Sequence, residues 1–177
     1  MTYRALESYQ ITKIIYDFTV LPKIYISRPY RTYDQMIQAA RLGKQNIVEA
    51  SAQKTSKKTE LKLLGVSHAS LQEFLEDFED FLRQRNFKLW QKDSPKAKAI
   101  RALAYKNNRS YKTYPPYLDH PETAANAAIC LINQANFLLE RQIKSLEEKF
   151  IHKGGWTEDL YRQRISLGPI GLIINES

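Results

Sequence analysis

Leu61, Leu64, His68, Leu71, Leu75, Phe78 and Leu82 follow one another at alternating steps of three and four residues. That spacing keeps one narrow stripe of a helix against its partners, turn after turn. A second stripe, Ala125, Ile129, Ile132, Asn136, Leu139, Ile143, Leu146 and Phe150, has the same rhythm. Two stripes of this length predict an all-α chain arranged as an antiparallel up-down-up-down four-helix bundle. The bundle is expected over residues 1–155, with a basic insert at 87–121 between the third and fourth helices and a short C-terminal suffix at 156–177.

The remaining helices are placed by their punctuation. The first is expected from near Leu6, presenting Ile11, Ile14, Phe18, Leu21 and Tyr25, with Pro22 kinking it or ending its first section. Pro29 makes a turn of residues 27–30. A second helix opens at Arg31 or Thr32 and faces inward through Tyr33, Met36, Ala40, Gly43, Ile47 and Ala50. A glycine in mid-helix costs about 1 kcal/mol, so Gly43 predicts a close approach by a neighbouring helix. Thr55 or Ser56 caps the third helix, which runs to about Asn86. Pro95 begins a short helix reaching about Tyr105. Lys106 to Pro121 reads as a tyrosine- and proline-bearing loop, and the fourth helix runs from near Glu122 to the Gly154-Gly155 stop. Residues 156–164 are expected to form one more short helix packed on the bundle. The apolar residues Ile170 to Ile174 fit a small strand, an oligomer contact or a docked tail equally well.

The chain has 177 residues and one cysteine, Cys130, which leaves no intrachain disulfide and no cysteine-based zinc site. No apolar run approaches the roughly 20 residues a membrane span needs, and the MTYRALESYQ start lacks a signal-peptide core. A cytoplasmic protein is the expectation. Lys and Arg number 27 against 19 Asp and Glu, a net charge of +8, and the excess is segregated. Residues 51–70 carry +3, residues 71–86 carry −3, and residues 87–118 carry +7. Such segregation points to a polyanionic partner.

Two basic clusters are the candidate contacts. Arg41, Lys44, Lys54, Lys57, Lys58 and Lys62 surround the corner between the second and third helices, where the helix dipole adds positive potential. In the insert, Arg109, Tyr111 and Lys112 interleave cations with aromatic rings, a pattern that suits single-stranded nucleic acid. Tyrosines in a long loop, however, often bury their rings against the bundle and leave the hydroxyl wet. His68 and Asn136 occupy stripe positions and are expected as a hydrogen-bonded polar pair in the core. His120 and His152 show no ligand spacing, and Glu73, Glu76, Asp77, Glu79 and Asp80 read as a solvated face. No metal site, cofactor or catalytic residue is expected, and an enzyme is not predicted.

From Arg41-Leu42-Gly43-Lys44-Gln45-Asn46-Ile47-Val48-Glu49-Ala50 through Ser56-Lys57-Lys58-Thr59-Glu60-Leu61, the chain resembles a bacterial family of four-helix-bundle proteins. These are encoded within intervening sequences of 23S ribosomal RNA genes, and the accessory variability determinants of diversity-generating retroelements belong with them. The insert and residues 154–164 are similar to the subgroup carrying a four-helix-bundle suffix domain. Ala50 departs from the glycine that many relatives have there, and the insert is longer than the linker of minimal bundles. The resemblance implies a homopentamer with a basic surface and, for retroelement members, association with a reverse transcriptase and nucleic acid. Residues and resemblance together predict a non-enzymatic oligomeric accessory protein that holds RNA or DNA phosphates on a basic rim. The competing expectation is a protein–protein scaffold whose acidic third-helix face and apolar tail recruit a partner.

Overall fold

The described residues of this computed structural model are 3–20, 30–53, 55–105, 110–154 and 156–166; they form six α-helices with no strand among them. The helices are α1 (Glu7–Thr19), α2 (Tyr30–Ala52), α3 (Lys57–Gln84), α4 (Pro95–Leu103), α5 (Pro121–Lys153) and α6 (Trp156–Ser166). Helix α1 packs on α2 and α5, α2 on α3, and α3 on α5, while α4 lies on α5. No helix among the described residues is long and apolar enough to cross a membrane. Leu21, Pro22 and Tyr25, expected to continue the first helix, lie outside the described residues, as do residues 170–174.

The helix boundaries follow local chemistry. Ser56 caps α3 by accepting a hydrogen bond from the Thr59 amide, and Ser94 caps α4 by accepting from Ala97 N, with Pro95 in the first turn. Gly154, at φ 75°, closes α5 in a conformation that favours glycine.

Helix α2 buries Met36, Ala40, Gly43, Ile47 and Ala50, the face its spacing predicts, with Tyr33 half-buried beside them. Gly43 has the reason expected of it: a Cβ there would lie 2.7 Å from Leu71 Cδ2 and 2.9 Å from Leu71 Cγ. The close approach also brings Ser67 Oγ within 2.5 Å of the Gly43 carbonyl, to which it donates. Asp34, Gln38 and Leu42 of α2 share a groove with Glu73 and Asp77 of α3.

Helix α3 is rolled relative to its predicted stripe. Leu61, His68 and Leu75 are only half-buried, and the hidden residues are Leu64, Ser67, Ser70, Leu71, Phe74, Phe78, Phe81 and Leu82. A helix touching two partners buries a face wider than a coiled-coil seam, and Ser67 joins that face because its hydroxyl is bonded. His68 Nε2 meets Glu140 Oε1 at 3.1 Å at the surface, so the expected His68–Asn136 core pair does not form. Asn136 is buried without a partner for its amide among the described residues.

Helix α5 follows its stripe from Ala125 to Leu146, but Phe150 is exposed. Its 33 residues extend about 50 Å, against 28 residues in α3, and Glu147 to His152 near its end are exposed. Thr157 to Ser166 of α6 are exposed throughout, contrary to the expected packing on the bundle. Glu158, Asp159, Arg162 and Arg164 interrupt the apolar positions of α6 and leave no continuous stripe to bury.

Candidate functional site

The predicted basic corner divides into two surfaces. Lys44, on α2, faces α1: its Nζ stands 3.8 Å from the centroid of the Tyr16 ring, a cation–π contact. Burial pushes the Lys44 ammonium below the ordinary lysine range; Asp17 opposes that shift, and Lys13 and Arg41 add to it. Arg41 itself is exposed. Gly43, next to Lys44, is level with Ser67, about 13 Å of helix beyond Lys58. At the corner proper, Lys57 Nζ is tied to Glu60 Oε2 at 2.9 Å, whereas Lys58 and Lys62 are exposed with no ion pair among the described residues. Lys54 and Arg109 lie outside the described residues. Tyr111 opens a 3-10 turn, Tyr111–Thr113, in which Lys112 is exposed. The neighbouring Tyr114 is fully buried, with its ring 6.1 Å from that of Phe18, the structural role weighed for a tyrosine of this loop.

The more organised surface lies where residues 87–105 lean on α5, and Asn126 builds it. Its Oδ1 accepts from the Trp90 amide at 2.7 Å, and its Nδ2 donates to the Lys88 carbonyl at 2.9 Å and to Glu122 O at 2.9 Å. One buried amide thereby pins the segment leaving α3 to the start of α5. Arg101 Nη2 donates to the Lys92 carbonyl at 2.6 Å and closes the turn before α4. Ala97, Ile100 and Ala104, at helical spacing, are the buried face of α4. They account for a property of α5 that its single predicted stripe does not: Ala124 to Ile132 are buried on every side.

The fit between α4 and α5 is incomplete. A cavity of about 570 Å³ opens there, with Leu89, Trp90, Arg101, Tyr105, Gln134 and Phe137 among its walls. Gln134 is 6% exposed, and neither atom of its amide has a hydrogen-bond partner among the described residues. A buried amide left so costs about 1–3 kcal/mol. Phe137 and Tyr105 are more than half exposed, at 52% and 59%. Lys92 and Arg101 line the same cavity, and Lys96 Nζ lies 5.4 Å from the Trp90 ring centroid. Lys88, Lys92 and Lys96 are exposed; the one carboxylate of this segment, Asp93, lies 3.9 Å from Lys98.

Glu79 closes the α3 side of the cavity. Partial burial, with Glu76 and Asp80 adding to it, raises its carboxyl above the ordinary carboxylate range. Cys130, on α5, is buried and also lines the cavity; burial pushes its thiol up and Arg101 opposes the shift. No group of three or more His, Cys, Asp or Glu side chains among the described residues is placed to hold a metal ion. Comparison with known proteins finds no family model, no curated protein and no solved structure that matches this chain.

Sequence reasoning singled out the charge of this segment but not its geometry. Gln134, Asn126, Trp90 and Phe137 were legible only through the second apolar face of α5, Ala124, Ala127, Ala128, Leu131 and Ala135, which demands a further neighbour.

Proposed function

We propose that this chain is a non-enzymatic helical protein that binds single-stranded RNA or DNA. The carrying observation is the strip of exposed lysines, Lys88, Lys92 and Lys96, held beside an aromatic-walled cavity by Asn126 and Arg101. Cations that track a phosphate backbone, next to rings on which bases stack, are what sequence-tolerant single-strand binding requires. Lys58, Lys62 and Lys112 add exposed positive charge elsewhere, and the net charge of +8 favours encounter with a polyanion. In this reading α1, α2, α3 and α5 form the antiparallel up-down-up-down bundle, supported by their pairings, and the 87–121 insert is the binding element.

The test is a salt titration of a short single strand against the wild type and against Lys88→Gln/Lys92→Gln/Lys96→Gln. All three side chains are exposed, so the variant should fold. Loss of three phosphate contacts should flatten the log–log salt slope by about 2 and weaken binding more than about tenfold at moderate salt. A change under about threefold overturns the assignment to this strip.

A second reading, a self-assembling module, has its own observation. Phe150 and Ile151 at the end of α5 and Leu160, Tyr161 and Ile165 of α6 are each exposed. Buried between copies, they would join subunits of a homo-oligomer, and light scattering on a chain ending before residue 154 against the full chain tests it. An unchanged number of subunits per particle removes this reading.

A further inference from the structure

We infer that α6 of one copy lies in a trench between α3, α4 and α5 of another; this rests on the self-assembly reading above and names the surface that receives α6. The cavity of about 570 Å³ does not stand alone. A second cavity of about 440 Å³ opens beside it, and Glu79 and Leu89 line both, so the two form one trench. Its floor is apolar, with Leu82 and Phe87 in the smaller half and Trp90, Ile129 and Phe137 in the larger. The two halves differ in charge. Glu76, Glu79 and Asp80 line the smaller half, where Arg83 is tied to Asp80 at 2.7 Å. Lys92 and Arg101 line the larger half beside Glu79. Such a trench fits a short helix with an apolar face, one acidic end and one basic end.

Helix α6 has those features in that order. Glu158 and Asp159 lie in its first turn and Arg164 in its last. Leu160 and Arg164 are four apart, as are Tyr161 and Ile165, so the four form adjacent rows on one side of the helix. Asp159 and Arg162 pair with each other at 3.5 Å on the opposite side. Leu160, Tyr161 and Ile165 are exposed. The occupant is a second copy because reach forbids the first. Phe137 is the trench residue of α5 nearest to Lys153, where α5 ends, and lies about 24 Å from it along the axis. Helix α6 has 11 residues, about 16 Å, and Gly154 and Gly155 join it to α5. Folded straight back it would stop about 8 Å short of Phe137, and Thr157 to Ser166 are exposed, as they would not be along α5. Of the lysine strip, Lys92 alone lines the trench, so a seated α6 leaves Lys88 and Lys96 to a phosphate chain.

The contact joins unlike surfaces, so two variants that cannot associate with themselves can associate with each other. Light scattering over a concentration series counts subunits per particle for the full chain, for Arg164→Glu and for Glu76→Lys/Glu79→Lys. Circular dichroism checks that each variant keeps its helices. Arg164→Glu sets an acidic α6 against acidic walls, and Glu76→Lys/Glu79→Lys sets basic walls against a basic α6. Each variant alone should associate more than about tenfold more weakly than the wild type, because like charges then face each other. An equimolar mixture should regain association, since each α6 meets walls of opposite charge in the other variant. Association that survives either reversal, but is lost in the chain ending before residue 154, overturns the trench and leaves the self-assembly reading standing. A mixture that stays dissociated also overturns the trench, since α6 and the walls would not meet between copies. A wild type that is monomeric throughout removes the self-assembly reading and the trench together.

Discussion

Where α2 meets α3, the backbones come so near that Gly43 has no room for a methyl group, and the Ser67 hydroxyl is used up on the Gly43 carbonyl. Where α4 meets α5, small residues again allow a close approach, yet about 570 Å³ remains open and Gln134 ends in an amide with no partner. The difference is one of completion. At the Gly43 contact the polar and apolar demands of the two helices are met internally. A contact that leaves a polar group unmet forgoes some stability, and the proposed function assigns binding to that side of the molecule.

Truncating an aromatic ring on each side of the molecule tests that contrast most severely. Phe74 is fully buried, with its ring 4.8 Å from that of Phe78, so Phe74→Ala should cost about 3–5 kcal/mol in urea unfolding. Phe137→Ala, at a position 52% exposed, should cost less than about 1 kcal/mol. Equal losses would mean that the α4–α5 side is packed as tightly as the rest.

The two glycines of the bundle sharpen the comparison, because the same substitution should act with opposite signs. Gly43→Ala must displace the fully buried Leu71 and should destabilise by about 1–2 kcal/mol despite the gain in helix propensity. Gly65 has nothing within 4 Å of a built Cβ, so Gly65→Ala should stabilise by up to about 1 kcal/mol. A stabilised Gly43→Ala variant would show that α2 and α3 have slack that the geometry denies.

The same contrast explains what could be read in the chain. The close contact was legible because Gly43 interrupts an otherwise apolar inward face, and a mid-helix glycine needs a reason. The helix ends at Ser56, Pro95 and Gly154 were legible for a similar reason: capping is local chemistry written in one or two residues. The roll of α3 was not, because Ser67 looks like a surface residue until the Gly43 carbonyl arrives as its acceptor. Nor was the cavity. Asn126 and Gln134 are both polar residues on an apolar helix, and only the three-dimensional path of residues 88–90 decides that one is fully bonded and the other left over. The placement of Lys44 was not legible either, because spacing along one helix says nothing about which neighbour a lysine turns to: Lys44 turned to Tyr16.

Gln134 itself supplies the next test. Replacing it by Leu keeps most of the volume and removes a buried amide that bonds to nothing, so stability should rise by about 1 kcal/mol. A loss of stability on Gln134→Leu would show that the amide is satisfied in solution and that the α4–α5 contact is as complete as the α2–α3 one.

The smallest effect expected is the pH dependence that Glu79 gives the open side. Partial burial, followed by the charges of Glu76 and Asp80, holds its folded-state pKa above the ordinary carboxylate value. At neutral pH the carboxylate is ionised in both states, and the folded state bears the burial and the repulsion. As pH falls through the raised value, the folded protein takes up the proton before the unfolded chain does. The contribution of Glu79 is then fully favourable below the ordinary carboxylate pKa near about 4, and it is lost as pH rises through the folded value. Glu79 is largely solvated, so screening keeps the whole effect to a few tenths of a kcal/mol. Glu79→Gln should therefore be slightly more stable than the wild type at neutral pH, with an advantage that shrinks on acidification; paired urea midpoints measure it. An advantage that grows as pH falls would reverse the sign and place Glu79 beside a cation that holds it ionised. The cavity mouth would then be a closed ion pair in place of an open acceptor.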